Sequence, residues 1–291
     1  MSGGPSLPTG SGAVSVAVLA AALLHALWNG LAHRTEDKLA GFTLISLTIT
    51  GCAAVMVCFV PAPDPAAWPF IALSTALQAA YQGLLLRAYQ LGDFGQMYPI
   101  ARGSAPLLVA VASWALLGER STGAALLGVA VISCGLIGLA FADGLPTRSR
   151  LPALAAALGT GVAIASYTIV DGSGVRHAGS VGGYIAWLFL CQGPVLPLLA
   201  WARYGRGLAG RLRPQWRSGL VGGVLSLTAY GLVVWAQAHG SLATVAALRE
   251  TSIVIAALIA TLVFRERLGR VRTAASAVVL AGIAVMELAH P

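Results

Sequence analysis

Apolar residues in this chain come in long runs, neither in the alternation of a half-buried strand nor in the one-sided stripe of a water-soluble helix. Ten runs stand out, at about 13–33, 38–60, 66–90, 94–117, 122–141, 151–170, 180–203, 216–239, 241–264 and 269–288. Each approaches the roughly 20 residues that a helix needs to cross the hydrocarbon core of a bilayer. The gaps between them hold turn formers and charges, such as HRTEDK, PAPDP, LGDFG, GERST and DGLPTRSR. The pattern predicts an all-α membrane protein of ten transmembrane helices, with a disordered leader over 1–12 and a linker over 142–150.

Composition strengthens this reading. Hydrophobic residues make up 57% of the chain and charged residues 10%, with a mean hydropathy of +0.81; a soluble globule of this length carries about a quarter charged residues. The 35 glycines suit helices that pack closely in lipid. The net charge of +8 does not imply nucleic acid, because most of the basic residues stand in the odd-numbered gaps, including Lys38, Arg148, Arg206, Arg213 and Arg270. By the positive-inside rule those gaps face the cytoplasm and both termini face outward. Cys52, Cys58, Cys134 and Cys191 lie inside apolar runs without metal-ligand spacing, so they read as packing residues, and neither a metal nor a cofactor is expected.

The chain also repeats itself. One constant offset lays Arg102 on Arg249, Glu119 on Glu266, Arg120 on Arg267, Val131 on Val278 and Gly135 on Gly282, and nearly the same offset lays Gly92 on Gly240. The runs therefore form two five-helix units, 13–141 and 151–289. Five is odd, so the second unit enters the bilayer from the opposite side, which makes an inverted repeat. Two such halves around a midplane site are the usual construction of an alternating-access carrier. The one lysine, Lys38, lacks the glycine-rich lead-in of a nucleotide-binding loop, so the expected transport is secondary.

The segments LLHALWNGLAHR, AYQLGDFGQMYPIARGSAPLLVAVASWALLGER and ALRETSIVIAALIATLVFRERLG resemble the drug/metabolite transporter superfamily, EamA type, over about residues 13–288. The resemblance implies a ten-helix secondary transporter of the plasma membrane (the inner membrane of a bacterium), an exporter or exchanger of small metabolites with a cavity between its halves. It also implies cytoplasmic termini, the reverse of what the charge count gives.

Candidate site residues follow from the cost of polarity in lipid. Arg102 lies about 12 Å into the fourth run at 1.5 Å per residue, and Arg249 about as far into the ninth. A guanidinium there must be paired or hydrated, so both are expected to face the interior, either attracting a carboxylate or zwitterion or holding helices together. Glu250 is the candidate proton carrier, or else an internal ion-pair partner. Tyr98, one turn before Arg102, shares its face. Pro106 leaves the carbonyl of residue 102 without its helical partner. His25, Trp28 and Asn29 form a polar stripe in the first run. Gln78, Tyr81 and Gln82 form another in the third, facing Tyr230. Tyr167 and Asp171 end the sixth, with Asp171 read as a cap or loop charge, and Glu119 and Glu266 read as caps of the helices that follow them. The binding set is thus Trp28, Asn29, Tyr81, Gln82, Tyr98, Arg102, Tyr230 and Arg249. An intramembrane enzyme would need a buried carboxylate pair, a Ser–His arrangement or an HExxH helix, and the sequence offers none; a pore or a non-transporting scaffold is the other alternative. The expected partners are a small-molecule substrate and the lipid bilayer, with possible coupling to protons.

Overall fold

The computed structural model describes residues 11–33, 37–92, 94–141, 150–262 and 269–288. Helices form wherever an apolar run follows a suitable start signal. Asp37 precedes α2 (Lys38–Met56) and accepts from the Ala40 N–H at 3.1 Å. Thr122 caps α5 (Gly123–Ala140), accepting from Ala125 N at 3.2 Å. Ser180 caps α7 (Val181–Gln192), accepting from Gly183 N at 3.0 Å. Each short polar side chain satisfies one of the backbone donors that a helix start leaves open. Proline occupies the first turn of α3 (Trp68–Leu91) and of α6 (Leu151–Arg176), where its missing N–H costs nothing.

The remaining helices are α1 (Ser11–His33), α4 (Phe94–Leu117), α8 (Val195–Tyr204), α9 (Leu208–Leu212), α10 (Trp216–His239), α11 (Leu242–Arg249), α12 (Thr251–Leu262) and α13 (Arg270–Leu288). Among the described residues there are no strands, and eight stretches are long and apolar enough to cross a membrane. Large apolar side chains cover the outside, Phe59, Trp114, Leu116 and Leu198 among them. Water would penalise such a surface, whereas lipid is its matching solvent.

The helices differ from the expected runs at four places. Helix α1 already includes Ser11 and Gly12, which were assigned to the leader; the rest of that leader, and residues 142–149 of the linker, lie outside the described residues. Run 180–203 is two helices, α7 and α8, broken at Gly193–Pro194, because proline has no N–H for the ladder. Run 241–264 is also two helices, with Glu250 between them. Helix α6 continues past residue 170 to Arg176. The cysteines differ too: all four are free, and Cys58, Cys134 and Cys191 are exposed rather than packed inside, a small thiol being compatible with lipid.

Packing crosses between the two halves of the chain. Helix α1 lies on α10 and α12, α6 lies on α3 and α4, and α5 lies on α13. The last pair approaches closely. A Cβ on Gly128 would come within 2.7 Å of the Gly282 carbonyl oxygen, and one on Gly282 within 3.0 Å of the Gly128 carbonyl oxygen.

The described connections meet at two ends of the bundle. At one end Asp64 N donates to Ala178 O at 3.0 Å, and Arg176 ties together Glu119 and the carbonyls of Gln237 and Gly240. At the other end Arg211 pairs with Asp37 at 2.9 Å, and Arg150 donates to Gln96 at 2.9 Å. Asp37 stands outside the spans, and the Ala40 N–H, followed by Arg211, holds its carboxyl below the ordinary carboxylate range.

Candidate functional site

The site begins with the break in the ninth run. Helix α11 stops at Arg249 and α12 starts at Thr251. The Glu250 N–H donates to Ala247 O at 3.0 Å, and Ile253 N–H donates to Glu250 O at 3.0 Å, so the chain passes the break in tight three-residue turns. A cationic side chain thus ends one helix and an anionic one precedes the next, the signs that helix ends favour.

Arg102 and Arg249 both point inward, 6% and 5% exposed. Their situations differ. Arg102 Nε lies 2.9 Å from Glu250 Oε2, an ion pair between α4 and the α11–α12 break, and its Nη2 donates to Ser252 Oγ at 3.4 Å. Arg249 forms no ion pair among the described residues, and its Nε, like that of Arg102, is buried without a hydrogen bond. Glu250 therefore pairs at contact distance with the arginine of the other half instead of its neighbour in sequence, and Arg249 is left without a contacting carboxylate among the described residues.

Aromatic rings adjoin the arginines. Tyr81 meets Tyr167 edge-on at 5.8 Å between centroids, Tyr167 meets Tyr230 at 6.4 Å, and Tyr230 meets Phe189 at 5.6 Å. Tyr81 and Tyr98 are both within electrostatic reach of Arg102 and Arg249, and so is His25. Of the sequence-derived set, the structure brings together Tyr81, Tyr98, Arg102, Arg249, Glu250 and Tyr230. Gln82 lies on α3 beside Tyr81 and has a buried Oε1 without a hydrogen-bond partner among the described residues. Trp28 and Asn29 bond within α1, the indole N–H to His25 Nδ1 at 3.3 Å and the amide to His25 O at 2.9 Å. Trp28 also packs edge-on against Phe42.

Two sequence-derived roles change. Glu119 accepts from the backbone N–H of Leu242 at 3.2 Å and pairs with Arg176. It caps α11 of the second half, not the helix that follows it; Glu266 lies outside the described residues. Asp171 is neither a cap nor a loop charge. It is wholly buried within α6 and accepts hydrogen bonds from Tyr184 Oη at 3.0 Å and Tyr230 Oη at 2.5 Å. The glycines around it read as a turn in sequence, but they are packing positions: a Cβ on Gly172 would come within 2.4 Å of Leu242, and one on Gly174 within 2.5 Å of the Tyr184 hydroxyl. The signal available for Asp171 was its i, i+4 placement after Tyr167. Tyr184 and Ser252 carried no such signal.

The chain is similar to known proteins in its second half and in its fold. Residues 151–288 match the EamA-like transporter family. A Bacillus subtilis (strain 168) protein named "Uncharacterized transporter YwfM" is 30% identical over 107 residues, which are 36% of this chain and 35% of that protein, so the match spans about a third of the relative's length. A solved crystal structure superposes with a TM-score of 0.73 over 97% of this chain and 98% of its own, at 17% identity, a likeness of fold. The second half of the chain is thus similar to the EamA-like transporter family, and the partial kinship with this relative points the same way.

Proposed function

We propose that the protein is a secondary active transporter of the plasma membrane that moves a small organic metabolite bearing a carboxylate, either as an exporter or as an exchanger. Its ten spans form two inverted five-helix units that alternate access to one central site. The observation that carries this reading is the pair of inward-facing arginines at equivalent places in the two halves, one ion-paired with Glu250 and the other without an ion pair among the described residues.

The packing supports the inverted repeat. Helix α1 lies on α10 and α12 as α6 lies on α3 and α4. At the α5–α13 contact a Cβ on Gly135 would approach the Ala275 carbonyl at 3.6 Å, and one on its counterpart Gly282 would approach the Gly128 carbonyl at 3.0 Å. The offset that pairs Gly135 with Gly282 also pairs Gly128 with Ala275, as a two-fold between the units requires. Alternation would open one end of the bundle at a time, and the Glu119–Arg176 tie is the contact that would have to part at its own end.

Within the site, Arg249 receives the substrate carboxylate by charge-assisted hydrogen bonds, and Tyr81, Tyr98 and Tyr230 shape the apolar wall around it, with Gln82, Trp28 and Asn29 completing the set on the flanking helices. Glu250 holds Arg102 in place. The basic connections face the cytoplasm and both termini face outward, as the charge distribution favours.

Three outcomes test this reading. In detergent, carboxylate-bearing metabolites should raise the melting temperature of the wild type, because a ligand that binds only the folded state stabilises it, and Arg249→Ala should remove that rise; an equal rise in the variant would contradict the assigned role. Arg102→Ala should destabilise the fold by about 3–5 kcal/mol, since it leaves Glu250 buried without its partner, while adding Glu250→Ala should restore most of the loss. A double variant no more stable than the single one would show that the pair is not the cause. A reporter fused to the C-terminus should be active only when it is built for the outer side, and a cytoplasmic signal would reverse the orientation.

A further inference from the structure

A second buried polar centre lies around Asp171, apart from the arginine ion pair. Its carboxylate is wholly buried, Tyr184 from α7 and Tyr230 from α10 donate to its two oxygens at 3.0 and 2.5 Å, and the Ser74 hydroxyl from α3 stands against it. Ser74 in turn accepts from Gln78 at 3.1 Å. These neighbours are all neutral. The cation whose charge reaches Asp171 is Arg249 on α11, and it forms no ion pair with it. On α4 the charged group, Arg102, is paired with Glu250, and on α6 itself Tyr167 lies one turn before Asp171.

We propose that Asp171 is the proton-binding site of the protein, separate from the substrate site and linked to it through Tyr230. This rests on the transporter reading given above, and it moves proton binding from Glu250 to Asp171. A carboxylate held by neutral donors in a lipid-embedded interior bears its desolvation without a counter-ion at contact distance, whereas Glu250 already has one. Both Asp171 oxygens are occupied by hydroxyl donors, which leaves a proton as the ligand that can join without displacing a side chain from a coordination shell.

The step is simple to balance. A proton from the aqueous side to which the site is open forms an O–H bond on one carboxyl oxygen, and it leaves to the other side when that bond breaks. The protonated oxygen changes from acceptor to donor. If it is the oxygen facing Tyr230, the tyrosine becomes the acceptor and its own hydrogen must turn to another partner. Tyr230 touches Tyr167 and Phe189, and Tyr167 touches Tyr81 beside the arginines. Proton occupancy is thereby passed to the wall of the substrate site by contact between rings.

Infrared difference spectra of the purified full chain in lipid nanodiscs, taken across a pH series, test this without any substrate. All ten acids of the chain give a C=O band when protonated at low pH, so the test is the difference between variants: a component lost as the pH rises should be present in the wild type and in Glu250→Gln and missing from Asp171→Asn. A wild type and an Asp171→Asn variant with the same band at every pH would overturn the assignment. Should Asp171→Asn fail to fold, Tyr184→Phe and Tyr230→Phe replace it. Each removes one hydrogen bond and should move the band's midpoint by about fivefold in proton affinity, the factor equivalent to about 1 kcal/mol, and an unmoved midpoint in both would overturn the assignment equally. The band reports protonation and not flux. Its absence defeats this inference alone, while a band that follows Asp171 in a protein that moves no solute defeats the transporter reading alone.

Discussion

A charge inside a lipid-embedded bundle must find a partner, and the interior of this protein is arranged around that requirement. Arg102 and Glu250 meet that requirement for each other across the two halves of the chain. To bring Glu250 to that position the ninth run stops being a helix for one residue, and the freed backbone turns are satisfied by three-residue bonds on either side. Irregular backbone at membrane depth is tolerated only where protein or a cavity surrounds it, so the break and the ion pair explain each other. Arg249, at the end of α11, is then left as the guanidinium without an ion pair among the described residues.

The same logic separates the two buried acids. Glu250 is held by a cation, so its charge is settled within the protein. Asp171 is held by tyrosine hydroxyls, which satisfy hydrogen bonding but not charge. One acid therefore serves the architecture of the arginine site and the other is free to exchange its proton. The aromatic chain Tyr81–Tyr167–Tyr230 lies between them, which gives the two centres a physical connection instead of mere proximity.

Much of the fold was legible in the sequence because lipid makes the pattern coarse: a run of about 20 apolar residues has few alternatives to a helix. The breaks inside runs were less legible. Pro194 announces one of them, but no proline or glycine stands beside Glu250, and at its break the side chain reaches across to Arg102. The inward direction of both arginines followed from the cost of exposing them to lipid. Which of them would be partnered did not, because the answer depends on a contact between residues far apart in the chain. Asp171 is illegible for a local reason: DGSG has the composition of a turn, and only the closeness of Leu242 and Tyr184 shows that its glycines make room for packing.

The central claim is that one site between the halves, bordered by Tyr81, Arg102 and Arg249, is reached by water from each side of the membrane in turn. The most direct measurement is labelling of Tyr81→Cys by a membrane-impermeant thiol reagent, with Cys52, Cys58, Cys134 and Cys191 replaced by serine, in sealed vesicles of both orientations. The account predicts labelling from either side, lowered from one side when substrate or pH biases the protein toward the other. Labelling from one side only under every condition, or from neither, would contradict it.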